Sequence, residues 1–238
     1  MMVAMETSLN AELTVSTIET LRNRIDERFP KSGLGTVCGT LLDIADQSKV
    51  HAEQIARPRV RLRIVSAILI ILGVVVAGYS VLMLDLSWSR FNAGEFVQII
   101  ESSINTIILV GAAVFFLVTI EIRIKRARVI EALHELRGVA HVIDMHQLTK
   151  DPSGMKFKAI ATASSPERTL TPFQLTRYLD YCSEMLSLTG KVAALYAQCL
   201  PDIVVLSAVN ELENLVTGLS RKIWQKIMII HRFSNEEE

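Results

Sequence analysis

The sequence has little cysteine, and its cysteines are not spaced for metal or redox chemistry. Cys38, Cys182 and Cys199 are the only three, and no C-x-x-C pair occurs. An odd number of cysteines without that spacing argues against a disulfide framework and against a zinc or dithiol site. Each cysteine lies among apolar residues in a helical pattern, so we expect three buried, reduced thiols.

The sequence also has no excess of charge of one sign. Its 25 lysines and arginines equal its 25 aspartates and glutamates, which argues against nucleic acid as a partner. The first residues contain no apolar stretch of the signal-peptide type, so we expect no cleaved leader.

Motifs for nucleotide binding and nucleophilic catalysis are missing as well. The segment Gly33–Thr40, GLGTVCGT, has closely spaced glycines, but no predicted strand precedes it and no Gly-Lys-Ser/Thr closes it. A phosphate-binding loop needs both features, so we interpret this segment as the start of a helix. No serine or cysteine lies in a nucleophile elbow. The sequence therefore predicts no complete catalytic set and no cofactor.

What the sequence does contain is two long uncharged apolar stretches, residues 64–84 and 102–120. A bilayer core about 30 Å thick needs roughly 20 apolar residues in a helix, so each stretch is long enough to span it. A first span that follows a cytoplasmic region serves as the insertion signal. The sequence thus predicts an all-α membrane protein with a two-helix transmembrane hairpin over residues 59–124.

Basic residues border the two spans and indicate the orientation of the hairpin. Positive residues near span ends stay in the cytoplasm, whereas the connector 85–101 has a single arginine. We therefore expect both termini to be cytoplasmic and the connector to lie outside, in a bacterial inner membrane. The bordering basic residues are Arg57, Arg59, Arg61 and Arg63 before the first span, and Arg123, Lys125, Arg126 and Arg128 after the second.

The regions on either side of the hairpin read as amphipathic helices. In residues 1–58, apolar residues recur at spacings of three and four before and after Pro30, which predicts two helices. In residues 125–238, the same spacing continues from the second span to about Ile143. Thr171, Pro172 and Gln174 form a capping box with proline at the first helical position. We expect the two regions to pack into one cytosolic helical bundle.

One polar stripe lies beside an apolar seam on the long helix that follows the second span. His134, Arg137, His141 and Asp144 are spaced by three, four and three residues. The simplest interpretation is a hydrogen-bonded polar layer that fixes the register of the bundle. The alternative is a metal-dependent enzyme in which a divalent ion is bound by His141, Asp144 and, where the helix frays, His146.

Two further sets of polar residues leave alternatives open. Asp180 and Glu184 could face His141 and Asp144 across the bundle and make a carboxylate-rich site. Asn105 and Thr106 are the polar interior residues of the second span, and they could line an oligomeric pore. Neither span contains an ionisable residue, which argues against a proton relay or a transporter.

The leading hypothesis from the sequence is a non-enzymatic scaffold or sensor anchored in the lipid bilayer. Its continuous apolar seams favour self-association into a homo-oligomer and presentation of the cytosolic bundle to a protein partner. The basic segment Arg221–Lys226, RKIWQK, predicts a surface face that touches the membrane or such a partner.

Overall fold

The fold was analysed in a computed structural model, which describes residues 8–56, 60–83, 93–152 and 169–235. All the regular elements in these residues are α-helices, which confirms the all-α class. The six helices are α1 Ala11–Arg28, α2 Gly33–Ala56, α3 Val60–Met83, α4 Ala93–Leu148, α5 Pro172–Cys199 and α6 Ile203–Asn235.

The chain divides into two compact units. Unit 1 comprises Met1–Ala56 and Arg126–Glu238, and unit 2 comprises Arg57–Lys125. Helix α4 contributes to both, since its residues up to Lys125 belong to unit 2 and those from Arg126 belong to unit 1. The prediction that the second apolar stretch continues as one long helix is confirmed.

Helices α1 and α2 of unit 1 form where the apolar spacing predicts them. The side chain of Asn10 accepts hydrogen bonds from the backbone N–H groups of Glu12 and Leu13, which satisfies the free donors at the start of α1. Pro30 follows the end of α1 because it lacks an N–H group to continue the helix. The two helices pack together through fully buried side chains such as Ile18 and Leu41.

Helices α5 and α6 pack against each other along their length in unit 1. The predicted capping box at Thr171 and Gln174 is confirmed, with both of its hydrogen bonds present. Asp202 starts α6, because its side chain accepts from the N–H groups of Val204 and Val205. The buried residues of α6 form one stripe with steps of three and four residues, namely Val205, Val209, Leu212, Val216, Leu219, Ile223, Ile227 and Ile230.

The part of α4 in unit 1 supplies another side of the same core. Its predicted apolar seam is confirmed as buried, and consists of Leu133, Leu136, Ala140 and Ile143. A guanidinium nitrogen of Arg126 lies 2.6 Å from Asp202, and Nζ of Lys226 donates to the Gln147 carbonyl at 2.7 Å. Residue numbers increase together along α4 and α6, so these two helices run parallel.

Unit 2 consists of α3 and the first part of α4, and its apolar residues are exposed in the isolated chain. Val74 on α3 is 64% exposed, and Phe115 on α4 is 74% exposed. A Cβ atom at Gly73 would lie 3.1 Å from a methyl group of Val110, so the absence of a side chain there lets α3 and α4 approach closely.

Two helices in the described residues are long and apolar enough to cross a membrane, judged by length and composition alone. They are Ile100–Leu148, which contains the predicted second span, and Ile203–Ser234, which the sequence analysis assigned to the bundle. The most apolar part of the first has no buried residue, whereas 28% of that part of the second is buried. The buried residues of α6 belong to the stripe that packs in the core of unit 1.

Part of the predicted outside connector is helical, since α4 begins at Ala93 and includes residues 93–101. No proline interrupts this segment, so the helix can begin before the apolar stretch. Several predicted residues lie outside the described ones, namely Arg57, Arg59, Leu84 at the end of the first span, and connector residues 85–92. The side chains of Arg61 and Arg63 are also not described.

Candidate functional site

An aromatic and basic surface surrounds the first turns of α5 in unit 1. Phe173 lies in the first helical turn, two residues after the capping Thr171, and 64% of it is exposed. Arg28, at the end of α1, places its guanidinium 5.5 Å from the centre of the Phe173 ring. Stacking a cation on an aromatic face stabilises both groups at a surface. The capping box therefore positions an exposed ring where two helices meet.

A groove of about 370 Å³ lies beside this ring, and we call it the arginine groove. It is lined by Arg24, Glu27, Arg28, Arg177 and Tyr181. The guanidinium groups of Arg24 and Arg177 lie 5.2 and 5.7 Å from the centre of the Tyr181 ring. Three arginines around one tyrosine offer planar donors that suit carboxylate groups.

The charges of the arginine groove are partly neutralised within the protein. Arg24 pairs with Glu184 at 2.9 Å, and Arg177 pairs with Asp180 at 3.1 Å. Arg28 instead lies over Phe173. Its guanidinium is therefore the member of the group best placed to donate hydrogen bonds to a carboxylate from outside.

A second, larger groove runs between α5 and α6, and we call it the α5–α6 groove. Its volume is about 660 Å³. Trp224 is 57% exposed at its edge, while Ile227 and Ile230 are buried at its base. It shares Arg177 with the arginine groove. The lining residues are Thr171, Pro172, Phe173, Thr176, Arg177, Asp180, Trp224, Ile227, Ile230, His231 and Ser234.

The composition of the two grooves suits recognition of a protein segment. Tryptophan, tyrosine and arginine are enriched among the residues that dominate protein–protein binding energies. Here an exposed phenylalanine and tryptophan flank an apolar base, and arginines lie on one side. Such a surface can bury apolar side chains and pair with carboxylates at its rim.

The C-terminal end of α4 forms a separate, partly buried polar junction. The His146 ring nitrogen Nδ1 lies 3.3 Å from the Tyr178 hydroxyl, and the ring also lies against Gly33 at the start of α2. Burial lowers the pKa of His146, and the nearby Lys150 lowers it further. Burial also lowers the pKa of Lys226, whose ammonium group binds the last turn of α4. These contacts fix where α4 ends.

The residues of the predicted polar stripe have different surroundings. His134 and His141 are exposed. Arg137 reaches across to Glu211 on α6 at 2.9 Å. Asp144 accepts a hydrogen bond from Gln147 on its own helix.

The metal alternative receives no support from this arrangement. His141 is exposed, whereas His146 lies against Tyr178. Within the described ranges, no group of three histidine, cysteine, aspartate or glutamate residues could hold a metal ion.

The alternative of a carboxylate-rich site requires Glu184 to face His141 and Asp144 of α4, but Glu184 contacts α1 instead. Both Glu184 oxygens bind Arg24 of α1. Asp180, the other carboxylate, is paired with Arg177 on its own helix. Helix α1 packs against α5, which brings Arg24 within reach of Glu184.

The other predicted residues lie in or beside unit 2. Asn105 is exposed, and the Thr106 hydroxyl donates to the Ser102 carbonyl of its own helix at 2.9 Å. Arg123 and Arg128 are exposed. Lys125 pairs with Glu121 at 3.0 Å, and Arg126 pairs with Asp202.

Sequence reasoning identified the segment around Trp224 as a surface but missed both grooves. The spacing of Arg24 and Arg28 by four residues was a signal, because it places both on one face of α1. Their common neighbours on α5 could not be read from that spacing.

No family model matches the chain, and no curated protein or solved structure matches it either.

Proposed function

We propose that this protein is a non-catalytic helical scaffold anchored in the bacterial inner membrane. Unit 2 anchors it through α3 and the first part of α4, with both termini in the cytoplasm. Unit 1 is the cytosolic bundle, which the protein presents to a partner while associating with further copies of itself.

The observation that carries the proposal is the contrast in exposure between the two units. Apolar side chains of unit 2, such as Ile107 and Leu109, are each 71% exposed, whereas those of unit 1 form a buried core. Water-soluble surfaces rarely expose contiguous apolar patches of this kind. In a bilayer the same side chains would contact lipid at no cost.

The basic residues near the apolar stretches support the proposed orientation. Arg123 and Arg128 are exposed after the second stretch, where cytoplasmic positive charge is expected. The exposed small residues Gly111, Ala112 and Ala113 support self-association. A Cβ atom at Gly111 would meet no other atom within 4 Å, so a helix from a second copy could approach there.

The two grooves support the proposed partner contact. A segment that fills the α5–α6 groove would cover Phe173 and Trp224, and a carboxylate on that segment could reach Arg28. We therefore propose a protein partner with apolar side chains flanked by acidic residues. The grooves' exposed aromatic rings are the residues expected to dominate its affinity.

The proposal is tested with the full chain in native membranes. A photo-crosslinking amino acid replaces Trp224 in one variant, and in a control it replaces Asn214, which is exposed on α6 away from the groove. We expect the chain to remain in the membrane after alkaline extraction, and a discrete crosslinked product from position 224 only. Mass spectrometry then identifies this product as a second copy or as another protein.

Two results would contradict the proposal. Release of the chain by alkaline extraction would contradict the proposed membrane anchoring. Identical crosslinking patterns at 224 and 214 would contradict the proposal that the α5–α6 groove is the docking surface. Self-association is measured independently by mass photometry in mild detergent, where a monomer alone would argue against it.

A further inference from the structure

Large aliphatic side chains are exposed around the C-terminal end of α5 in unit 1, on the two helices that pack against it. They are Leu13 of α1, which is 65% exposed, and Ile203 and Leu206 of α6, which are 85% and 47% exposed. We call these three residues the α1–α6 patch. Other residues of the same helices, such as Ile18 and Val205, are buried in the core of unit 1. The packing of the described helices therefore leaves the patch open.

Helical spacing places the patch on the sides of α1 and α6 that border α5. Leu206 precedes Trp224 by 18 residues (224 − 206), which is about five turns of α6, and Trp224 lines the groove between α5 and α6. Ile203 lies about one turn before Leu206. Leu13 precedes Arg24 by 11 residues (24 − 13), which is about three turns of α1, and Arg24 binds a carboxylate of α5. The two parts of the patch therefore flank the same helix.

The start of the described chain is held at this end of α5. In the orientation that satisfies both of its atoms, the side-chain amide of Gln198 accepts from the Leu9 N–H at 2.9 Å and donates to the Leu9 carbonyl at 3.2 Å. Ile203 follows Gln198 by five residues (203 − 198), so the two are at most about 18 Å apart. Ser8, the first described residue, therefore lies close to the α1–α6 patch.

Residues 1–7, which precede Ser8 in the chain, suit the patch in length and composition. Their sequence is MMVAMET, and the first five of these residues are apolar. Seven residues span up to about 25 Å when extended, which exceeds the largest possible distance from Gln198 to Ile203. Contact would remove apolar surface of both the segment and the patch from water. Because the segment is attached within reach, its effective concentration at the patch favours it over a separate molecule.

We propose that residues 1–7 pack on the α1–α6 patch of their own chain and cover Leu13, Ile203 and Leu206. The segment then connects the start of α1 with the start of α6, in addition to the contact between Gln198 and Leu9. A partner of unit 1 must bind away from this covered patch, as it would at the two grooves beside the first turns of α5. The inference concerns unit 1 alone and is independent of the proposed membrane anchoring.

The test follows the motion of a spin label on residues 1–7 of the full chain in mild detergent. Cys199→Ser first removes the partly exposed native thiol, while the other two cysteines are buried. A nitroxide is then attached through Ala4→Cys, which keeps the larger apolar side chains of this segment. We expect a spectrum of slow motion, because packing on the patch restricts the label.

The patch is then altered by the double change Ile203→Ser and Leu206→Ser, and we expect most of the slow component to be lost. The control is Met228→Ser, because Met228 is 61% exposed on the same helix but outside the patch. We expect this control to leave the slow motion unchanged. Slow reaction of the buried Cys182 with a maleimide verifies that the bundle of each variant is folded.

Three results would overturn the inference. Fast motion of the label in the chain with an unaltered patch would show that residues 1–7 do not pack. Equal spectra in the double variant and the Met228→Ser control would show that the label is held somewhere other than the patch. Slow motion that is lost when the labelled chain is mixed with an excess of the unlabelled double variant would assign the contact to a second copy.

Discussion

Replacing Leu136 by alanine tests whether the second part of α4 is a core helix of unit 1. Leu136 is fully buried. The change removes three carbon atoms at about 0.8 kcal/mol each and leaves a cavity, so we expect a loss of about 3 kcal/mol in the free energy of unfolding. The matched control is Met145→Ala on the same helix, because Met145 is 65% exposed. We expect the control to change stability by less than about 0.5 kcal/mol.

The cysteines provide an assay that reports on unit 1 alone, since all three lie in it. Cys182 is fully buried, and its thiol reacts with a maleimide only when the bundle opens. When reclosing is faster than alkylation, the reaction rate follows the population of the open form. A loss of 3 kcal/mol corresponds to an increase of about a hundredfold in that rate. Equal rates in Leu136→Ala and Met145→Ala would refute the packing of α4 in the core.

Three more changes test the contacts at the ends of α4 and α6. Lys226→Met removes the donor to the Gln147 carbonyl, and we expect a loss of about 1–2 kcal/mol in unit 1 stability. For His146, whose pKa is lowered in the folded state, unfolded chains take up a proton below about pH 6.5 while folded chains resist it. The urea midpoint should therefore fall with pH in that range, and fall less in His146→Gln. Asp202→Asn keeps the cap but loses the charge that binds Arg126, so it should destabilise less than Asp202→Ala.

Each of these three predictions has a result that contradicts it. Lys222→Met is the control for Lys226→Met, because Lys222 is exposed. Equal losses of stability in the two variants would show that the bond from Lys226 to the Gln147 carbonyl is unimportant. An unchanged pH dependence in His146→Gln would mean that another group causes the acid limb. For Asp202, whose pKa is lowered chiefly by its hydrogen bond with Arg126, stability should be lost only as the pH falls below the ordinary range of a carboxyl group. Equal losses in the Asn and Ala variants would contradict the capping role.

The helices could be predicted from the sequence because their signals are local. The spacing of Leu133, Leu136, Ala140 and Ile143 identified a buried face of α4, and the capping box at Thr171 identified the start of α5. Composition alone gave no helix start before the second apolar stretch, where α4 begins at Ala93 within the predicted connector.

The candidate site could not be predicted, because it depends on which helix faces meet. Phe173 and Trp224 are 51 residues apart (224 − 173) and line one groove. Helical spacing shows that each lies on a face of its own helix, but it does not identify the neighbouring helix. For the same reason the sequence leaves open whether Glu184 faces α4, whereas in the structure it binds Arg24 of α1. Which helix each of these side chains faces depends on how the helices pack, and helical spacing does not encode that.

The sequence pattern of α4 is the strongest support for the proposal that its first part lies in lipid and its second part in water. Between residues 102 and 120 its side chains are uncharged and mostly apolar, which suits contact with lipid. From Arg126 onward charged and polar residues alternate with a buried apolar stripe that includes Leu133, Leu136, Ala140 and Ile143. The change occurs within a few residues, where four basic residues lie. The first pattern is typical of a membrane helix and the second of a core helix in water, so the basic residues mark the point along α4 where one pattern gives way to the other.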